Sequence, residues 1–228
     1  MPARDELEIV VLSLKVAFWG VAWSLPAAIA TAFVLARKRF PGKTLFDAAV
    51  HLPLVLPPVV VGFALLVLFG RHGPLGRLLE PLGIVFAFRW TGAALAASIM
   101  GFPLMVRAIR LAIDAVDTRL ETAARTLGAR AGRVFFTITL PLAWPGLVTG
   151  ALLAFARALG EFGATITFVS NIPGETQTLP LAIYTFTQSP GQDAQALRLS
   201  LLSAVLSLAA LALSEWLVRR QRPRSHDD

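Results

Sequence analysis

Long stretches without a charged residue dominate the chain. Residues 16–36, 48–70, 90–106 and 134–156 carry none, and 199–214 is a shorter clean stretch that reaches 218 if Glu215 sits at an interface. A bilayer-crossing helix needs roughly 20 mostly apolar residues, and a charge inside it is costly. The pattern therefore predicts five transmembrane spans. Residues 161–192 are different: their apolar runs, 164–169 and 179–186, are short and interrupted by Asn171, Pro173, Gly174 and Pro180. Short or re-entrant helices lining a cavity suit this region, because broken backbone at membrane depth is tolerated only where protein or water satisfies it. The expected fold class is all-α, a polytopic membrane helical bundle forming a single domain over 1–228. The first span opens after an acidic start (Asp5, Glu6, Glu8) and runs past the roughly 7–15 apolar residues of a signal core, so it is expected to be retained.

Composition agrees. Of the 228 residues 56% are hydrophobic and 15% charged, against roughly 45–50% and about 25% in soluble domains. The mean hydropathy is +0.68, and with no cysteine in the chain thiol chemistry is excluded. The charge of +7 changes the picture through its placement. Most of the Lys and Arg residues collect in three places: Arg37, Lys38, Arg39 and Lys43 after the first span; Arg107, Arg110, Arg119, Arg125, Arg130 and Arg133 between the third and fourth; Arg219, Arg220, Arg222 and Arg224 at the end. Cytoplasmic loops are enriched in such residues, which predicts the N-terminus outside and the C-terminus inside, as an odd number of spans requires. The basic clusters are juxtamembrane and suit anionic lipid, not nucleic acid.

Between the third and fourth spans, Leu120, Ala123, Ala124, Leu127 and Ala131 recur at helical spacing beside Arg119, Arg125 and Arg130. That is an amphipathic helix in a loop of about 113–133. Asp117 or Thr118 can cap it, with Glu121 placed for a capping box, and Gly128 and Gly132 mark its end. A stripe made mainly of alanine, without an aromatic anchor, favours close packing into a protein groove over lipid insertion. The stretch Glu121-Thr122-Ala123-Ala124-Arg125-Thr126-Leu127-Gly128-Ala129, followed after nine residues from Gly128 by Ile138-Thr139-Leu140-Pro141, resembles the cytoplasmic loop signature of ABC importer permeases: Glu-Ala-Ala, three residues, Gly, nine residues, Ile, any residue, Leu-Pro. The family's glutamate falls on Thr122 here, with the acid one residue earlier. The resemblance implies a type I permease fold, with a coupling helix seated in a separate cytoplasmic ATPase. Glu121, Ala123, Ala124, Arg125, Gly128, Ala129, Leu140 and Pro141 are its expected coupling residues.

After the fourth span, Arg157 and Glu161 stand four apart and can pair on one helix face; snorkelling interface charges and a gate are both compatible with that spacing. Gly160 and Gly163 permit a bend or a close helix approach, while Thr165, Thr167 and Asn171 offer neutral hydrogen-bonding groups. Taken with 171–176, 179–184 and the proline-rich 51–60, this segment resembles the molybdate-type oxyanion permeases, with sulfate permeases more distant. The resemblance covers nearly the whole chain. It implies a translocation path or gate over about 157–190, involving Pro57, Pro58, Gly160, Glu161, Gly163, Thr165, Thr167 and Asn171. Lys15 is expected to snorkel to the outer interface.

Pro41-Gly42-Lys43-Thr44 ends like a phosphate-binding loop, but Arg37 occupies the position of its first glycine and no buried strand precedes it. The chain is thus expected to hold no cofactor, ATP-Mg belonging to the partner ATPase, and to be non-catalytic. His51, His72 and His226 are too scattered for a metal site. Three classes stay open: an energy-coupled permease for molybdate, tungstate or sulfate; a secondary transporter, which would normally show two internal repeats; and an intramembrane enzyme or structural protein. The resemblance implies a homodimer in the bacterial inner membrane, with a cytoplasmic ATPase dimer and a periplasmic or extracellular molybdate-binding protein.

Overall fold

The computed structural model describes the backbone of residues 3–221 and the side chains of 6–213, 215 and 216. Arg222, Arg224 and His226 lie outside the described residues, as do the side chains of Arg4, Arg219 and Arg220. Among the described residues the regular elements are all helical, with the α-helices in the order α1 (Ala3–Arg37), α2 (Lys43–Val55), α3 (Pro58–Phe69), α4 (Pro74–Leu79), α5 (Trp90–Asp114), α6 (Thr118–Thr126), α7 (Ala131–Val134), α8 (Leu140–Leu142), α9 (Trp144–Leu159), α10 (Gly163–Val169), α11 (Leu179–Thr187) and α12 (Asp193–Gln221).

Of the five expected spans, those in α1, α5 and α12 are single helices long and apolar enough to cross a bilayer, and the other two are bent pairs, α2 with α3 at 111° and α7–α8 with α9 at 68°. The 111° turn follows from Pro57-Pro58. A residue before proline is pushed out of the α region, and two in succession are affected: Leu56 lies at φ −69°, ψ 141° and Pro57 at φ −54°, ψ 132°. Pro58 then opens α3 at the position where its missing N–H costs nothing. At the second bend, Pro141 has no N–H to return to the preceding turn, and the helix widens into a π-turn over Phe135–Thr139. Pro145 then opens α9. The 161–192 region forms the short helices α10 and α11, of 7 and 9 residues.

α5 is the central post. The first half of its buried face is built mainly of small residues, Gly92, Ala93, Ala94, Ala96, Ala97, Ser98 and Gly101, which let neighbouring backbones approach. A Cβ on Gly20 of α1 would lie 3.0 Å from the Ala94 carbonyl, and the Ser98 hydroxyl donates to the Gly20 carbonyl at 2.8 Å. Towards the other end, Arg37 reaches the Ile113 carbonyl. α1 and α5 therefore run in the same direction. α9 runs against them, because Gly146 faces Ala112, Gly150 faces Met105 and Ala154 faces Gly101. One end of the bundle gathers Arg37, Asp47, Arg110 and Glu121; the other gathers Ser13, Lys15, Trp90 and Glu175. At the second end the Lys15 ammonium sits 3.7 Å from the Trp90 ring centroid, a cation–π contact.

α2 meets the core through α5, where the Arg110 guanidinium lies 2.9 Å from Asp47 and both side chains are about one-third exposed. Such a hydrated pair contributes little. Arg110→Gln is accordingly expected to destabilise the purified protein by no more than about 1 kcal/mol in a thermal melt, with uptake retained.

Candidate functional site

Two clusters of side chains stand out, one at each break in the helical framework. The first surrounds α6. Asp117 caps it, accepting from the Arg119 amide at 2.8 Å, and the helix closes with paired bonds from the Gly128 amide to Arg125 and from the Ala129 amide to Ala124. This is a Schellman ending, with Gly128 in the left-handed region at φ +87°.

Glu121 takes no part in a capping box. It is the one buried residue of the helix. Its Oε1 accepts from Arg37 Nε at 3.1 Å and from the Thr139 hydroxyl at 2.9 Å. Arg37 Nη2 in turn donates to the carbonyls of Ile113 and Val116 at 2.9 and 3.0 Å. Arg125 stands farther off, 4.0 Å from Glu121 Oε2, and is exposed.

The apolar stripe points the other way. Leu120 and Leu127 are 49% and 89% exposed; Ala123 and Ala131 are exposed too, and Ala124 and Ala129 half-buried. An amphipathic helix normally turns its apolar side to its own core. Here it presents that side outward and anchors itself by a charge. Leu140 packs partly buried against the core around Ile109 and Ile113, while the adjoining Pro141 is exposed.

The second cluster lies where α9 gives way to α10. Glu161 is 2% exposed; its Oε2 lies 2.7 Å from Arg157 Nη1 and its Oε1 accepts from the Ala164 amide at 2.8 Å. One carboxylate thus links the last turn of α9 to a free amide in the first turn of α10, that of Ala164. Immediately after it, α10 crosses α3 with almost no space between them. A Cβ on Gly62 would lie 2.5 Å from the Ala164 carbonyl oxygen and 2.9 Å from Thr167 Cβ, and one on Gly163 would lie 2.8 Å from Pro58 Cβ. Pro58, Gly163 and Thr167 are therefore brought together, with Gly62 as a fourth participant that sequence reasoning passed over. Thr165 is buried. Pro57 is exposed at the bend, and Gly160 ends α9 with nothing closer than 4.0 Å to its Cβ position. Asn171 belongs elsewhere, donating to the Thr185 hydroxyl of α11 at 2.7 Å.

The family described as "Binding-protein-dependent transport system inner membrane component" matches residues 24–223. The chain belongs to this family. It is 60% identical over 221 residues to the "Molybdenum transport system permease protein ModB" of Escherichia coli K12, covering 96% of both chains. The protein of the same name from Haemophilus influenzae is 56% identical over 220 residues, again covering 96% of each. Among solved structures, a chain of the bacterial alginate ABC transporter, determined in complex with an alginate pentasaccharide-bound periplasmic protein, superposes with a TM-score of 0.74 at 16% identity, over 96% of this chain and 80% of that one. The fold is therefore that of an ABC importer permease.

Proposed function

We propose that the chain is the membrane subunit of an ATP-driven molybdate importer, acting as a homodimer with a cytoplasmic ATPase dimer and a binding protein outside. The observation that carries the substrate class is the 60% identity to a molybdenum permease along nearly the full length of both chains. The outward-facing apolar stripe of α6, next to Arg125, supports the ATPase contact: small side chains allow deep seating, and cationic residues suit an acidic rim. The chain itself contributes no catalysis and holds no cofactor; ATP-Mg is bound by the ATPase.

The arginines around α6 favour a cytoplasmic position for that end of the bundle, and the N-terminus then faces outside. Nucleotide-driven closure of the ATPase dimer pushes on α6, and the movement reaches the spans through what α6 touches. Pro57, Pro58, Glu161, Gly163, Thr165 and Thr167 lie around the crossing of α3 and α10, where such a movement can open or close the path between two copies. Gly160 flanks it, and Asn171 lies apart, against α11. A bound molybdate is a tetrahedral dianion, as are tungstate and sulfate, and the selection among them rests with the binding protein.

The test is uptake of labelled molybdate in cells lacking their own high-affinity system and expressing this chain with its ATPase and binding protein. Saturable uptake that resists excess sulfate is the expected result. Uptake abolished by sulfate would reassign the chain to sulfate transport, and no uptake despite correct insertion would remove the molybdate reading.

A further inference from the structure

Nine residues of helix at the surface, with only a carboxylate buried, cannot be held in place by apolar packing. α6 is in that position. What fastens it is Arg37, the last residue of α1, whose guanidinium makes three bonds into two other elements: Glu121 on α6, and the carbonyls of Ile113 and Val116 where α5 ends. Those carbonyls belong to the last turn of a helix and its exit, where partners within the helix run out. Thr139, at the close of the π-turn leading into α8 and α9, completes the junction through Glu121. Both charged side chains are largely withdrawn from water, Arg37 at 15% and Glu121 at 7% exposure, so the pair is stiffer than a surface contact.

We propose that Arg37 is a positioning residue that transmits displacement of α6 to α1 and α5, acting as a strut between the coupling helix and the two parallel spans. The proposal rests on α6 being the ATPase contact. A rigid planar fork of donors is needed, because the carboxylate is held by Nε and the two carbonyls by Nη2; a lysine ammonium offers a single point of charge on a flexible stem and cannot replace it. Glu121 then faces its own bundle and leaves ATPase contact to Leu120, Ala123, Ala124 and Leu127.

The experiment uses the full complex of permease, ATPase and binding protein in proteoliposomes, reading labelled molybdate transported per ATP hydrolysed, together with copurification of the ATPase. Arg37→Gln is expected to retain the ATPase and its hydrolysis while transport per ATP falls about tenfold, within the range of ordinary coupling energies. Arg37→Lys should recover only part of this. Arg37→Gln with Glu121→Gln should be no worse than either alone, because both changes break one junction. Thr139→Val, which deletes a single hydroxyl, should move the ratio in the same direction by a smaller factor, and it serves if Arg37→Gln fails to assemble. A wild-type ratio in Arg37→Gln, or in Thr139→Val where only that variant assembles, would overturn the strut alone. If the wild-type chain does not retain the ATPase at all, the docking reading falls and the strut with it.

Discussion

Gly128→Asp is expected to abolish uptake while leaving the chain folded and inserted in the membrane. The glycine closes α6 at φ +87°, and a Cβ there would meet nothing within 4 Å. The intrachain cost is therefore confined to backbone strain, on the order of 1–2 kcal/mol, and aspartate is among the side chains that tolerate this conformation best. The interchain cost is larger. Gly128 adjoins Leu127, the most exposed large hydrophobic side chain described, at 89%, in the face proposed to meet the ATPase. A carboxylate buried there without a partner costs several kcal/mol, which corresponds to a loss of ATPase retention of roughly a hundredfold or more. Gly128→Asn separates shape from charge: it accepts the same backbone conformation and should keep part of the activity. Membrane fractionation, ATPase copurification and molybdate uptake on the three chains decide the matter. Wild-type uptake by Gly128→Asp would remove α6 from the interface.

The helical framework was legible because the bilayer forces it. With no water to satisfy backbone groups, charge-free stretches can only be helices, and α1, α5 and α12 follow directly. Pro57-Pro58 break the helix, yet residues 48–70 read as one span, because composition does not specify the dihedral angles that produce a turn of 111°. The short helices of 161–192 were visible in their interruptions. At α6, periodicity located the stripe of Leu120, Ala123, Ala124 and Leu127 but could not show which way it faces. Its outward direction depends on Glu121 finding Arg37, 84 residues earlier in the chain, and a lone arginine after a clean span carries no signal of that. The same holds for Gly62. Gly160 and Gly163 attracted attention through their closeness in sequence, whereas the tight crossing pairs Gly163 with Pro58 and places Gly62 against Ala164, partners that only the folded backbone brings together.

Arg157→Ala is expected to destabilise the protein more than loss of Glu161's own charge. Glu161 is 2% exposed and has two partners, Arg157 at 2.7 Å and the Ala164 amide at 2.8 Å. Removing the guanidinium leaves the carboxylate buried with only the amide. Breaking a buried pair from one side costs about 3–5 kcal/mol; Arg157 is 29% exposed, so water can approach the gap and the lower end applies. Glu161→Gln is milder. Its amide oxygen can still accept from Ala164, and the arginine left behind can reach solvent. The combination of Arg157→Ala with Glu161→Gln removes the orphaned charge and should recover most of the loss, giving a coupling energy of about 1–3 kcal/mol between the two positions. Thermal unfolding of the four purified chains in one detergent measures this cycle. Additive losses would mean that the two side chains act independently, and that α10 is held on α3 by the glycine crossing alone. The expected non-additivity would identify the pair as the fastening of the α9–α10 break, since the carboxylate at that break also accepts from the Ala164 amide of α10.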